Sequence, residues 1–249
     1  MRSEWVDNNG CRIHYLDTGG GADLSFIPLV ICPGLSMTAE EYAEFMASLH
    51  PRRCVALSFR GRGRSDSPPS GYDLAQHVSD LEAVIDHLSL NGRFHLFAYS
   101  RGVSYALGYA SRHEDKIASL MLQDYPAIHK RMPDAWADDY IHSYLIPFGR
   151  TSHISEVAVR GIQAESTQMT FERPLSMPAL LLRGLLEGSL LPDEEVERYR
   201  RIFPHLRVEA FSESGHDIQS TEPDKLHRVV RRFLEETEAE LAAKREGKD

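Results

Sequence analysis

The chain has 249 residues, enough for one enzyme-sized core or a core with a small insertion, and an ordinary 42% of them are hydrophobic. A formal net charge of −9 argues against a general nucleic-acid or anionic-membrane surface, and no apolar run is long enough to span a bilayer. The three cysteines, Cys11, Cys32 and Cys54, are odd in number and fall in or beside strand candidates, which predicts reduced, buried thiols and a cytoplasmic protein.

Met1 to Trp5 carries no signal-peptide pattern and leads straight into a hairpin, in which Trp5-Val6 and Ile13-His14-Tyr15 flank Asn8-Asn9-Gly10. A strand is predicted within Leu24 to Cys32, best from Leu29 onward because Pro28 cannot donate to a ladder. Thr38 to Leu49 reads as a helix, Cys54 to Phe59 as a strand, and Asp73 to Leu90 as a helix. Phe94 to Tyr99 is a short apolar strand, followed by Ser100-Arg101-Gly102 and a helix from Val103 to Ala110. Ile117 to Gln123 is again a strand. The segment Tyr125 to Met177 breaks the alternation: it has no convincing strand, but it has helical spacing in Pro133 to Ile146 and again in Ile154, Val157, Ala158 and Ile162. Beyond it come a strand from Ala179 to Arg183, a helix from Pro192 to Phe203, a strand from Val208 to Phe211 and a helix from Pro223 to Glu236. The charged stretch from Glu235 to Asp249 predicts a helix end fraying into a solvated tail. Apolar strands alternating with helices imply an α/β fold with a mostly parallel, doubly wound sheet, headed by an antiparallel hairpin. Sites in such sheets lie at the C-terminal ends of strands.

Ser100 stands at such an end. A serine on a sharp strand-to-helix turn is lifted clear of the backbone, at a helix N-terminus whose free N–H groups stabilise an anion. The stretch Ala98-Tyr99-Ser100-Arg101-Gly102 follows the G-x-S-x-G elbow with alanine in the first small position. A serine nucleophile needs a base and an acid to orient that base. His216, in the loop Ser212-Glu213-Ser214-Gly215-His216-Asp217 after the last strand, is the candidate base. Glu187, three residues past Gly184, is the candidate acid, with Asp124 at the end of the preceding strand as the alternative. An oxyanion hole needs two backbone N–H donors; Arg101 supplies one, and Leu35 in Pro33-Gly34-Leu35-Ser36-Met37 is the candidate for the other. The loop Arg60-Gly61-Arg62-Gly63-Arg64-Ser65 suggests part of a dinucleotide fingerprint, but Asp66 stands where the third glycine belongs, and Asp80 and Glu82 fall inside a predicted helix.

Taken together, these elements resemble the α/β-hydrolase fold superfamily, and the resemblance runs from Trp5 to about Leu234. It rests on the hairpin start, Pro33-Gly34, the Arg60–Ser65 loop, the Ser100 elbow, the Gly184…Glu187 loop and Gly215-His216. The family often has His-Gly where Pro33-Gly34 stands and glycine where Ala98 stands. The resemblance implies a Ser–acid–His triad, a structural role for the Arg60–Ser65 turn, and a helical cap over the site. It divides the chain into a hydrolase core, 1–125 and 178–249, and a cap insertion, 126–177. Trp136, Tyr140 and Tyr144 in that insertion are candidate substrate-binding residues, and Phe148 continues their spacing. An aromatic, partly closed cleft favours an uncharged, apolar substrate.

The expected activity is hydrolysis of small, largely apolar carboxylic esters through an acyl-enzyme, with no metal or organic cofactor. The partner is a small-molecule substrate, with no nucleic acid and no membrane, and the protein is a monomer or homodimer. The alternatives are lactone, amide or carbon–carbon bond hydrolysis or cofactor-free oxygenation on the same residues, or a slow-turnover ligand-binding or signalling protein. In the resembled family, epoxide hydrolases and dehalogenases use a carboxylate nucleophile, which a serine at position 100 argues against.

Overall fold

A computed structural model describes residues 1–90 and 92–246. Strands β1 (Arg2–Asn8) and β2 (Cys11–Asp17) pair antiparallel around Asn9 and Gly10, both at positive φ, as the Asn-Gly signal requires. Strand β3 is shorter than the predicted run, Leu29–Cys32. Ile27, just before it, donates its N–H to the Glu238 carboxylate instead of to a neighbouring strand. The predicted helix over 38–49 splits into a 3-10 turn, Ala39–Tyr42, and α1, Ala43–Ser48; the turn is capped reciprocally by Thr38 and Glu41. The next elements are β4 (Cys54–Leu57), α2 (Leu74–His87), β5 (Phe94–Tyr99), α3 (Gly102–Ala110) and β6 (Ile117–Gln123).

After β6 the chain leaves the sheet. Two-residue strands β7 (Ile128–His129) and β8 (Met169–Thr170) pair antiparallel and clamp the base of the excursion. Two residues give no measurable period, so sequence reading passes over them. Between them lie α4 (Trp136–Tyr140), which runs on into a π-helical turn over Ile141–Leu145, and α5 (Glu156–Glu165). Their apolar faces form a small core with Tyr72 and Leu35, built from residues such as Ile141, Leu145, Ala158 and Ile162. The chain then returns through β9 (Ala179–Gly184), α6 (Asp193–Ile202), β10 (Leu206–Phe211), α7 (Ile218–Thr221) and α8 (Pro223–Glu246).

The eight long strands form one sheet in the order β1-β2-β4-β3-β5-β6-β9-β10, parallel from β4 to β10. Alternate side chains fill two cores. Val30, Leu96, Leu120 and Leu122 face α2, α3 and α6, whereas Ile31, Phe97 and Met121 face α1 and α8. The predicted fraying tail is instead helical through Glu246, because the side chains of this stretch are anchored: Glu236 and Glu240 pair with Arg207 and Glu238 with Arg52. Residues 247–249 of that expectation lie outside the described residues. No described helix is long and apolar enough to cross a membrane.

Candidate active site

The C-terminal ends of β5 and β6 are neighbours, with Tyr99 opposite Gln123, and each strand ends in a residue forced into the left-handed region. Ser100 follows β5 at φ 50° and Asp124 follows β6 at φ 46°. Both bends are held by ladder bonds running one residue beyond the strands: Ser100 N–H donates to Gln123 O at 3.0 Å, and Asp124 N–H donates to Leu182 O at 2.9 Å. The chain then turns directly into α3, and Val103 N–H donates to Ser100 O at 2.8 Å.

The loop after β10 brings His216 between the two. His216 Nδ1 lies 2.8 Å from Asp124 Oδ2, and its Nε2 lies 2.9 Å from Ser100 Oγ. An ionised carboxylate only accepts, so Nδ1 carries the proton and donates; Nε2 is then free to accept from the serine hydroxyl. Tyr99 stacks on the imidazole with ring centroids 5.0 Å apart and restricts its rotation. Asp124 is fully buried, and its carboxylate collects three further donors: Gly184 N–H at 3.2 Å, Ser189 Oγ–H at 2.7 Å and Leu190 N–H at 3.0 Å.

The acid expected from the sequence, Glu187, is elsewhere. It is exposed, and its side chain makes no hydrogen bond among the described residues. The loop 185–190 that carries it serves Asp124 through Ser189 and Leu190, while Leu186 N–H donates to Ser214 O at 2.9 Å. The structure thus joins the alternative, Asp124, to His216 in place of Glu187.

Leu35 and Arg101, the expected oxyanion donors, both border the serine turn, and neither N–H is used within the chain among the described residues. Sequence reading missed what positions them. Arg62 is buried and donates from Nε to Leu35 O at 3.0 Å and from Nη1 to Arg60 O at 2.6 Å. Burial and then the Arg62 charge hold His77 well below the ordinary imidazole range, so neutral His77 accepts from Arg62 Nη1 at 2.8 Å. The Arg101 side chain is buried as well and reaches into the excursion, donating to Ser166 Oγ at 2.6 Å and to Lys130 O at 3.2 Å. Burial, with Arg101 beside it, pushes His129 down to about 3, so this cluster is a cationic guanidinium among neutral groups. No spacing rule pairs Arg62 with Leu35 or Arg101 with Ser166, which lie 27 and 65 residues apart. The Arg60–Ser65 loop is accordingly internal structure, with Arg60 in a buried ion pair to Asp80 at 2.7 Å.

A cavity of about 570 Å³ opens onto Ser100 and His216. Tyr140 and Tyr144 line it, and Tyr140 donates its hydroxyl hydrogen to Ser36 Oγ at 2.8 Å. Trp136 does not line it. It stacks on Tyr140 at 5.2 Å, the first rung of a ladder through Tyr144 to Phe148, because four-residue spacing places these rings on one helical face. The cavity is also less apolar than the aromatic spacing suggests: Glu41, Arg150, Asp217 and Gln219 belong to its walls. Among the described residues no group of three or more His, Cys, Asp or Glu side chains is gathered where a metal ion could be held.

Comparison with known proteins agrees with this architecture. The chain is 26% identical to haloalkane dehalogenase 2 of Mycobacterium tuberculosis, over 94% of this chain and 95% of that one. A thermophilic esterase from Thermogutta terrifontis superposes with a TM-score of 0.77 at 21% identity, covering 96% of this chain and all of the other. The enol-lactonase of Burkholderia xenovorans superposes with a TM-score of 0.71 at 18% identity, covering 93% and 99%. Likeness to solved structures at identities this low carries the fold alone. The alpha/beta hydrolase fold family pattern matches residues 27–151, half of the chain, and on that match the protein is a hydrolase belonging to the alpha/beta hydrolase fold family.

Proposed function

We propose that this protein is a serine hydrolase of small carboxylic esters, with Ser100 as nucleophile, His216 as general base and then acid, and Asp124 as the orienting acid. The observation that carries the reading is the unbroken hydrogen-bonded chain Ser100 Oγ–His216–Asp124 at 2.9 and 2.8 Å. As Ser100 Oγ attacks the ester carbonyl, its proton passes to His216 Nε2, and Asp124 stabilises the imidazolium through Nδ1. The oxyanion takes the free N–H groups of Leu35 and Arg101. Collapse of the tetrahedral intermediate expels the alcohol, which receives the proton from Nε2. Water then enters by the same steps and releases the acid.

Halide displacement does not fit this nucleophile. A serine alkoxide attacking a haloalkane carbon would leave an alkyl ether, which has no carbonyl for water to attack, so the enzyme could not turn over. The dehalogenase name of the sequence relative therefore does not transfer. Lactones share the ester carbonyl and are the second substrate class to assay. The substrate is a small molecule, and Tyr140 and Tyr144 meet it at the cavity wall.

The test is Ser100→Ala. Hydrolysis of p-nitrophenyl esters and labelling by a fluorophosphonate should both vanish, while the thermal melt stays within a few degrees of wild type, since no core side chain is lost. Retained turnover, or labelling at another residue, would sink the assignment.

A further inference from the structure

We infer that the guanidinium groups of Arg62 and Arg101 hold a standing positive potential behind the oxyanion donors, Leu35 N–H and Arg101 N–H, and that the negative charge of the tetrahedral intermediate is their missing counter-charge; this rests on the serine-hydrolase reading of the same site. Among the described residues four arginines are buried. Arg52 and Arg60 each hold a carboxylate, that of Glu238 and that of Asp80. Arg62 and Arg101, each 1% exposed, hold none and bond only to neutral acceptors. The Tyr105 hydroxyl joins the two, accepting from Arg101 Nε at 3.2 Å and from Arg62 Nη2 at 3.5 Å. Two histidines complete the surroundings, and their hydrogen bonds fix both as neutral acceptors at Nε2. His77 donates from Nδ1 to Asp73 O at 2.7 Å and turns Nε2 to Arg62. His129 donates from Nδ1 to Ser104 Oγ at 3.0 Å, whose own hydrogen goes to Arg101 O at 2.9 Å, and turns Nε2 to Arg101.

Taking a cation out of water without an anion beside it is costly. The two charges also repel: burial and the Arg101 charge both lower the Arg62 pKa, although an arginine stays protonated in a protein. A neutral side chain of similar length would fill either space without that cost, and local rules are broken in this way where function uses the charge. Neither guanidinium lines the cavity, so neither is a contact for bound substrate. Both stand behind the donors instead. Arg62 Nε lies 3.0 Å from Leu35 O, and Arg101 carries the second donor on its own backbone. On the other side of Ser100 is the fully buried Asp124, whose ionisable partner is His216. When the serine proton passes to His216, charge separates into an imidazolium facing Asp124 and an oxyanion facing the arginines. Fixed charges of the opposite sign on each side favour that separated state over the neutral bound ester, and they need no reorganisation as it forms.

The experiment uses Arg101→Met and Arg101→Lys, two unbranched side chains of similar length of which one is charged. Both keep the backbone N–H, and the hydrogen bonds of the Arg101 side chain go to Tyr105 and the excursion, not to the Leu35 loop. The first readout is steady-state hydrolysis of p-nitrophenyl butyrate. The second is inhibition by 1,1,1-trifluorooctan-2-one against octan-2-one. Ser100 Oγ adds to the trifluoromethyl ketone, its proton passing to His216 and the carbonyl oxygen becoming an oxyanion, whereas the plain ketone binds without adding. The ratio of the two inhibition constants therefore reads oxyanion stabilisation. Arg101→Met should lower kcat by about tenfold, less than the roughly 10²–10³-fold of a lost direct donor, and leave KM within about twofold. It should shrink the ketone ratio by about the same factor as kcat, and Arg101→Lys should recover most of both. A raised KM with an unchanged ketone ratio would make Arg101 a strut for the excursion, and a lysine no better than methionine would leave the charge without a part; either result overturns the inference. If Arg101→Met fails to fold, Arg62→Met and Arg62→Lys, read in the same two ways, decide. A wild type that favours the trifluoromethyl ketone while its variants lose nothing overturns this inference alone. A wild type with no such preference and no ester hydrolysis overturns the serine-hydrolase reading with it.

Discussion

Ser100 and Asp124 occupy the same backbone conformation on adjacent strands, at φ 50° and 46°. Left-handed backbone costs a non-glycine residue roughly 1–2 kcal/mol, and it persists only where neighbours over-determine it. Here the two bends point a hydroxyl and a carboxylate over the same sheet edge, with one imidazole between them. Asp124→Asn keeps the shape but replaces an acceptor-only group with an amide that can donate to Nδ1 and hold the wrong tautomer. We expect kcat for ester hydrolysis to fall on the order of 10³–10⁴-fold. Glu187→Gln should stay within about twofold, as expected of an exposed side chain without partners. Steady-state kinetics on both variants decide the matter, and a large loss for Glu187→Gln with a small one for Asp124→Asn would reverse the roles. That Ser100 and His216 would meet was legible, because an elbow is a local pattern and a histidine loop follows the last strand. Which carboxylate meets His216 was not, because it depends on which strand end lies beside the serine. Sequence shows Asp124 and Glu187 each following an apolar strand; only the sheet order shows that β6 adjoins β5 while β9 lies one strand further out.

At the scale of elements, the elbow works because α3 starts almost in contact with the end of β3. A Cβ on Gly102 would lie 2.4 Å from Pro33 O and 2.5 Å from Cys32 O, both backbone atoms that cannot swing aside. Gly102→Ala must therefore push the serine turn away from the Leu35 loop. Overpacking of this kind costs about 1–3 kcal/mol, or roughly 2–12 °C in Tm for a chain of this length. Because Arg101 and Leu35 border the gap, kcat should fall as well. A melt and an ester assay check both, and an unchanged Tm with full activity would show that the close approach is not needed. The second small position of the elbow motif was readable for this physical reason. The alternation of strands and helices was also readable, since each of those elements is long enough to show a period. The β7–β8 pair and the π turn at Ile141–Leu145 were not, being too short or in a register that no simple period describes. The structural role of the Arg60–Ser65 loop was readable from its broken fingerprint and the family resemblance, but its partners were not: folding buries Arg60 against Asp80 and Arg62 beneath Leu35.

At the scale of the whole molecule, α8 closes the second core and is fastened to the sheet by several ion pairs, of which the one made by Glu238 is the most buried. Glu238, on α8, accepts from Ile27 N–H at 2.8 Å just before β3, from both terminal nitrogens of Arg52 just before β4, and meets His95 Nε2 of β5 at 3.4 Å. Burial alone would raise its carboxyl pKa, but His95, Arg52 and Ile27 together outweigh burial and bring it from 4.5 down to about 2. A carboxylate whose folded pKa is depressed adds stability that is fully present above its unfolded value. That stability is lost as pH falls towards the folded one, here between about 4.5 and 2. His95 adds to acid sensitivity from the other side: burial holds it below the ordinary imidazole range, so unfolding at low pH is drawn on by its protonation. Glu238→Gln removes the first contribution and does not relieve the second, since the Glu238 carboxylate is what draws His95 upward, and it strands the Arg52 guanidinium, which is only 5% exposed. We expect the variant to be less stable than wild type at pH 7 by about 2 kcal/mol, the scale of a lost hydrogen-bonded charge. We expect the gap to close as pH falls from 5 towards 3, because the wild-type carboxylate is losing its own contribution over that range. Urea midpoints measured at several pH values for both proteins test this. A gap that stays constant down to pH 3 would mean that Glu238 fastens the helix by packing rather than by its charge.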